Sequence, residues 1–118
     1  MKQLLTCIAL VISISAPSKT KMTSYLFAYF TGNAPEKEQI HFALSSDGFN
    51  YTPLNAGQPI IKSDTISIMK GVRDPHILRG EDGWFYMVVT DMQSSRGWSS
   101  NRGMVLMRSK DLVNWKHH

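Results

Sequence analysis

Cysteine is almost absent from this sequence. Cys7 is the sole one, which excludes a disulfide-stapled scaffold. Basic clusters are missing too. Thirteen Lys and Arg against nine Asp and Glu give a formal net charge of +4. Those basic residues are scattered, whereas a nucleic-acid-binding face needs them gathered. No window of adequate length carries apolar residues at helical spacing, which argues against helical architectures. The longest apolar stretch, residues 4–14, is too short to span a bilayer. Four scattered His and no close acidic cluster give no metal-ligand spacing. A Ser nucleophile lacks the G-x-S-x-G context, and there is no phosphate-binding glycine loop. No cofactor, nucleic acid or membrane span is therefore expected. The remaining composition, 42% hydrophobic and 19% charged, is that of a globular domain and not of a disordered chain, a collagen or a coiled coil.

The N-terminus reads as a secretory signal peptide over Met1–Ala16. Lys2 supplies the positive start, Leu4–Ile14 the apolar core, and Ser13, Ser15 and Ala16 the small residues before a cleavage point at residues 15–20. A secreted or periplasmic location is expected. The alternative is a buried N-terminal strand or helix. A lipoprotein reading fails, because Cys7 precedes most of the apolar core instead of following it.

Past the leader, the main organisational signal is a repeat. Ser45-Ser46-Asp47-Gly48-Phe49-Asn50-Tyr51 lies over Ser109-Lys110-Asp111-Leu112-Val113-Asn114-Trp115 without a gap, at an offset of 109 − 45 = 64. Ser and Asp side chains can bond backbone N–H groups just downstream, so each copy encodes a local turn. Each follows an apolar run, His41–Leu44 or Met104–Met107. Upstream lie two aromatic, β-branched runs, Tyr25–Phe30 and Trp84–Val89, that favour strands. Frequent Gly and Pro separate these segments. The expectation is an all-β fold whose unit of about 60 residues fits a β-propeller blade. A propeller needs at least four blades, on the order of 200 residues. Fewer than two units are present, so the chain reads as the N-terminal part of a longer protein. A small protein that dimerises to cover its sheets is the alternative.

Chemistry concentrates in Val72-Arg73-Asp74-Pro75-His76-Ile77. Pro75 pushes its predecessor towards extended geometry, so Asp74 is expected extended at the start of a strand. In a propeller the first strand of a blade lines the central channel, where a carboxylate can act as a general base on water. The run Asp74-Pro75-His76-Ile77, Gly83-Trp84-Phe85-Tyr86-Met87, Thr90, Gly103–Leu106 and Ser109–Trp115 resembles the first blade of glycoside hydrolase family 43. That family comprises five-bladed propeller arabinosidases, xylosidases and arabinanases. The resemblance covers residues 72–116, and its ending, Ser-Lys-Asp-Leu-Val-Asn-Trp, is the most specific part.

The resemblance implies several things. Residues 22–118 would be the N-terminal part of a propeller glycosidase domain. It would act on arabinose- or xylose-containing polysaccharide by inversion, in which a base carboxylate activates water while an acid carboxylate protonates the leaving oxygen. Asp74 takes the position of the general base. The acid Glu and the pKa-modulating Asp would come from later blades, as would any structural calcium. About fifty residues precede the mature Asp-Pro blade. They read either as outer strands of the last blade, completed by a strand from elsewhere, or as a complete first blade, which would make Asp74 the pKa modulator. The first arrangement is preferred. Two other propeller classes stay open. Family 32 fructan hydrolases share Arg-Asp-Pro, but their Asn-Asp-Pro-Asn nucleophile motif is absent here. A non-catalytic carbohydrate-binding propeller is the other.

Further candidate contacts to sugar are His76, on the face of Asp74 if the strand is regular, Thr90 and Asp91 at a strand end, and Trp98 in a polar loop, where its ring could stack on a sugar face. For Thr90 and Asp91 a loop-capping role is the preferred reading. Arg73 points to the opposite face and reads as the partner of a structural carboxylate. Trp84 and Trp115 read as core. Asn50-Tyr51-Thr52 matches a glycosylation sequon but occupies the repeat turn.

Overall fold

The computed structural model describes residues 23–117. The leader assigned to residues 1–16 lies outside the described residues. The described chain is all-β apart from short helical turns, and it forms two antiparallel sheets. The first contains β1 (Tyr25–Tyr29), β2 (His41–Ser45) and β3 (Thr52–Pro53), in that order. The second contains β4 (Val72–Arg79), β5 (Phe85–Asp91), β6 (Gly103–Ser109) and β7 (Lys116–His117), again in sequence order. Between them the chain makes an isolated bridge, Ile40 to Ile61, and one helical turn, α1 (Ser63–Ile66). Among the described residues no helix is long and apolar enough to cross a membrane.

The repeat seen in the sequence is a structural repeat. Leu44 pairs with Thr52, and 64 residues later Arg108 pairs with Lys116. One strand back, Tyr25 pairs with Ser45 and Phe85 with Ser109. So β1–β3 correspond to β5–β7. Among the described residues nothing in the first sheet corresponds to β4, and none pairs with the outer edge of β1.

The two turns are built from the same hydrogen bonds. The Ser45 hydroxyl donates to Asp47 Oδ1 at 2.8 Å and accepts the Gly48 N–H at 2.8 Å. Asp47 Oδ1 also accepts the N–H groups of Phe49 (2.9 Å) and Asn50 (2.8 Å), and Oδ2 accepts the Asn50 amide at 2.8 Å. Ser109, Asp111, Leu112, Val113 and Asn114 repeat this set, all between 2.8 and 3.0 Å. Both turns need a positive φ at one position. Gly48 takes it freely at 81°, whereas Leu112 is held at 65° by bonds that over-determine the turn.

These bonds favour the charged carboxylate. The N–H and side-chain amide of Asn50, the Phe49 N–H and the Ser45 hydroxyl hold Asp47 well below the usual carboxylate range. Asn114, Val113 and Ser109 do the same for Asp111. A carboxyl depressed in the fold stabilises it above the unfolded pKa of about 3.9. That contribution is lost as pH falls through the folded value. The unfolding midpoint is therefore expected to drop as pH falls below about 4. The Asp47→Asn/Asp111→Asn variant should show a shallower decline. An identical decline in a denaturant titration series would refute the assignment.

The core lies between the two sheets. Strand alternation sends Met87 and Val89 of β5 and Val105 and Met107 of β6 inward, where they meet Ile40, Phe42, Ile61 and Val72. Trp115 follows its turn and meets Phe42 edge-on, ring centroids 6.3 Å apart, as expected of a core residue. Trp84 corrects that expectation. It precedes β5 and is covered by the cations of Arg108 and Lys110, 4.8 and 4.7 Å from its ring. The ring carries cation–π contacts in place of apolar packing.

The outward faces remain apolar. Phe27 is 50% exposed in a stack with Tyr29, and Leu106 and Met104 are 52% and 75% exposed on the second sheet. Exposed apolar sheet faces, and strand edges left unpaired among the described residues, drive association. Residues 23–118 expressed alone should self-associate at micromolar concentration. A monodisperse monomer in light scattering, with a cooperative melt, would contradict this.

Candidate functional site

The second sheet carries the candidate chemistry at one end. Antiparallel order brings the start of β4, the end of β5 and the start of β6 to that end, together with the loop of residues 92–102. Asp74, Thr90 and Trp98 therefore belong to one rim.

Asp74 is not extended. Arg73 stands opposite Thr90 and His76 opposite Val88, so Asp74 and Pro75 together face Val89. This is a β-bulge, one residue more on β4 than on its partner. Asp74 absorbs the extra residue with a φ of 51°. Pro75 disfavours the right-handed helical region for its neighbour, and Asp is among the few residues that tolerate positive φ. The bulge turns the Asp74 carboxylate out, exposed, with the Thr90 hydroxyl donating to Oδ2 at 3.4 Å. It also interrupts the regular ladder between Arg73 and His76. His76 is exposed, opposite Val88.

The other candidates separate. Asp91 turns inward and is buried. Its carboxylate accepts the Ser67 hydroxyl at 2.6 Å and the N–H groups of Ile68 and Met69 at 3.0 Å. That geometry caps the loop leading into β4. Trp98 is 80% exposed on the turn Trp98–Ser100. The turn is fastened by the Ser100 hydroxyl, which lies 2.8 Å from Gly97 O and 2.9 Å from Gln93 O.

Arg73 finds its carboxylate in Glu38. The Arg73 Nη1 lies 3.6 Å from Glu38 Oε1 and donates to the Ser94 hydroxyl, while its guanidinium sits 4.9 Å from the Phe30 ring. Glu38 is 0% exposed, and both its oxygens accept the Ser94 N–H, at 2.9 and 3.2 Å. Nothing local in the sequence marks this residue. In Pro35-Glu36-Lys37-Glu38 it is indistinguishable from its exposed neighbour Glu36. A concave surface beside this network includes Gln39, His41, Lys62 and Gln93. His41 Nδ1 donates to Gly57 O at 3.1 Å, and burial lowers its pKa below the usual imidazole value.

Residues 20–118 match the family described as "Probable glycosyl hydrolase domain". The chain belongs to that family. The match contains the Asp-Pro bulge, both Asp turns and the Trp98 loop. Two solved structures from Bacteroides ovatus share the fold. One, a candidate glycoside hydrolase from strain ATCC 8483, aligns with a TM-score of 0.60 at 22% identity. The other, a glycosyl hydrolase, aligns at 0.59 and 19%. Each alignment covers 84% of this chain but only 28% and 29% of the solved chains. This chain therefore spans less than a third of their length. No curated protein matches the sequence.

Proposed function

We propose that this chain contributes the first blade, and the outer strands of the closing blade, to an exported five-bladed propeller glycosidase related to family 43. It acts on arabinose- or xylose-containing polysaccharide by inversion. The three-strand count of the first sheet supports that arrangement over a complete first blade. β1–β3 repeat β5–β7, and among the described residues no strand takes the place beside β1 that β4 takes beside β5. In this reading Asp74 is the general base, and Thr90 orients its carboxylate. Trp98 offers its exposed ring to a sugar face, and His76 lies at the margin of the site. Asp91 holds the loop beneath.

One observation carries the reading. Asp74 is an exposed carboxylate on a bulged, positive-φ residue at a sheet rim, with Thr90 as its side-chain partner. Uncommon backbone geometry of this kind clusters at functional sites. The chemistry follows from it. Asp74 takes a proton from water as that water attacks the anomeric carbon, and an acid from a later blade protonates the departing oxygen. The test uses full-length protein purified from its host. Its first residue is read by N-terminal sequencing, and hydrolysis of arabino- and xylo-oligosaccharides is followed by NMR. A start after residue 15 and a first-formed product of inverted anomeric configuration are expected. An intact Met1 overturns export, and a retained anomer overturns inversion.

A further inference from the structure

Glu38 is the deepest charged group among the described residues, and the proposed chemistry does not use it. A buried carboxylate is unfavourable unless it is paired and hydrogen-bonded, and a well-packed apolar side chain often serves stability equally well. Its contacts suggest what it does. Its main-chain carbonyl accepts the Val72 N–H at 2.9 Å. Its carboxylate faces the Arg73 guanidinium at 3.6 Å and fixes Ser94, whose hydroxyl accepts from the same guanidinium. Glu38 thus grips β4 at the two residues immediately before Asp74, once through backbone and once through side chain. The grip comes from outside the second sheet. On the other side Thr90 pairs with Arg73 and bonds Asp74. Between these supports the ladder is broken by the bulge, so sheet hydrogen bonding alone does not fix the direction of the Asp74 carboxylate.

We infer that Glu38 is a positioning residue that acts through Arg73 to aim the Asp74 carboxylate. This rests on the reading of Asp74 as the base. Glu38→Gln keeps the shape and removes the charge that holds the guanidinium. Misplacing a reacting group by about 1 Å costs on the order of 10²-fold in rate. In the full-length enzyme, Glu38→Gln should therefore lower kcat about 10- to 100-fold, with KM changed less than about twofold. Because Glu38→Gln strands a largely buried cation and can cost the fold, Glu38→Gln/Arg73→Met, which removes both charges, is made beside it. It should fold and keep the kcat defect. Met107→Ala, a core change far from the bulge, should lower the melting temperature and leave kcat in place.

The double-mutant cycle with Asp74→Asn separates the two readings. The expected result is that Glu38→Gln lowers kcat in the wild-type background and adds nothing in the Asp74→Asn background. Equal losses in both backgrounds overturn the inference, since Glu38 would then act independently of Asp74. A large Asp74→Asn defect with normal kcat in Glu38→Gln, or in the paired variant, overturns the inference and leaves the base standing. An inert Asp74→Asn overturns both.

Discussion

Asp74→Asn in the full-length enzyme is expected to lower kcat by about 10²–10⁴-fold, the usual contribution of a general acid–base group. The fold should survive. Asn is nearly isosteric, is among the residues that accept the positive φ of 51° found here, and keeps an oxygen for the Thr90 hydroxyl. What it loses is proton affinity. Azide, a small external anion, should restore part of the turnover by replacing the missing carboxylate, provided the exposed rim admits it. Leaving groups discriminate between the two roles left open by the Asp-Pro motif. A base mutant stays slow on an aryl glycoside with a good leaving group, because water activation is still missing. A modulator mutant largely recovers on it, because the acid it tuned is no longer needed. Unchanged kcat and pH profile would remove both roles and leave a carbohydrate-binding propeller as the better account.

The parts of this fold that were legible in the sequence are those fixed by local chemistry. Ser45, Asp47 and Asn50 close their turn with bonds that reach no further than three residues. The pattern and its 64-residue echo were therefore visible without knowing what packs around them. The strands followed from the aromatic and β-branched runs, and their ends moved by only a few residues. At Asp74 a local rule competes with a non-local one. The pre-proline preference favours extended backbone, but registering Val72 with Asp91 and His76 with Val88 requires one residue more on β4 than on β5. The ladder took precedence, and Asp74 carries the difference as positive φ. Trp84 departs from the core for a similar reason: Arg108 of β6 and Lys110 of the turn after it arrive from elsewhere in the chain to cover it. Glu38 is invisible locally because its partners lie 35 and 56 residues away, and a glutamate between Lys37 and Gln39 reads as surface.

Gly71→Ala is expected to be among the more damaging small substitutions in the chain. Gly71 sits where the loop capped by Asp91 enters β4. Its N–H donates to the Ser67 hydroxyl at 3.2 Å, and its carbonyl accepts the Met92 N–H at 3.1 Å. A Cβ there would lie 2.4 Å from Met92 O, 3.0 Å from Glu38 Oε2 and 3.1 Å from Gln93 Cα. The first of these is a backbone atom at the end of β5 and cannot swing aside as a side chain would. Either the β4–β5 pairing opens at Val72 and Asp91, or the loop retreats and takes Glu38 with it. Overpacking of this kind costs about 1–3 kcal/mol, measurable as a lower denaturation midpoint. Gly103→Ala is the control. It starts β6 with nothing within 4 Å of its added carbon, so it should be close to neutral. Because Glu38 lies in the path of the Gly71 methyl, Gly71→Ala should also depress kcat in the surviving folded enzyme, whereas Gly103→Ala should not. Equal denaturation midpoints for the two variants would mean that the close approach of Gly71 to β5 is not a constraint on the fold.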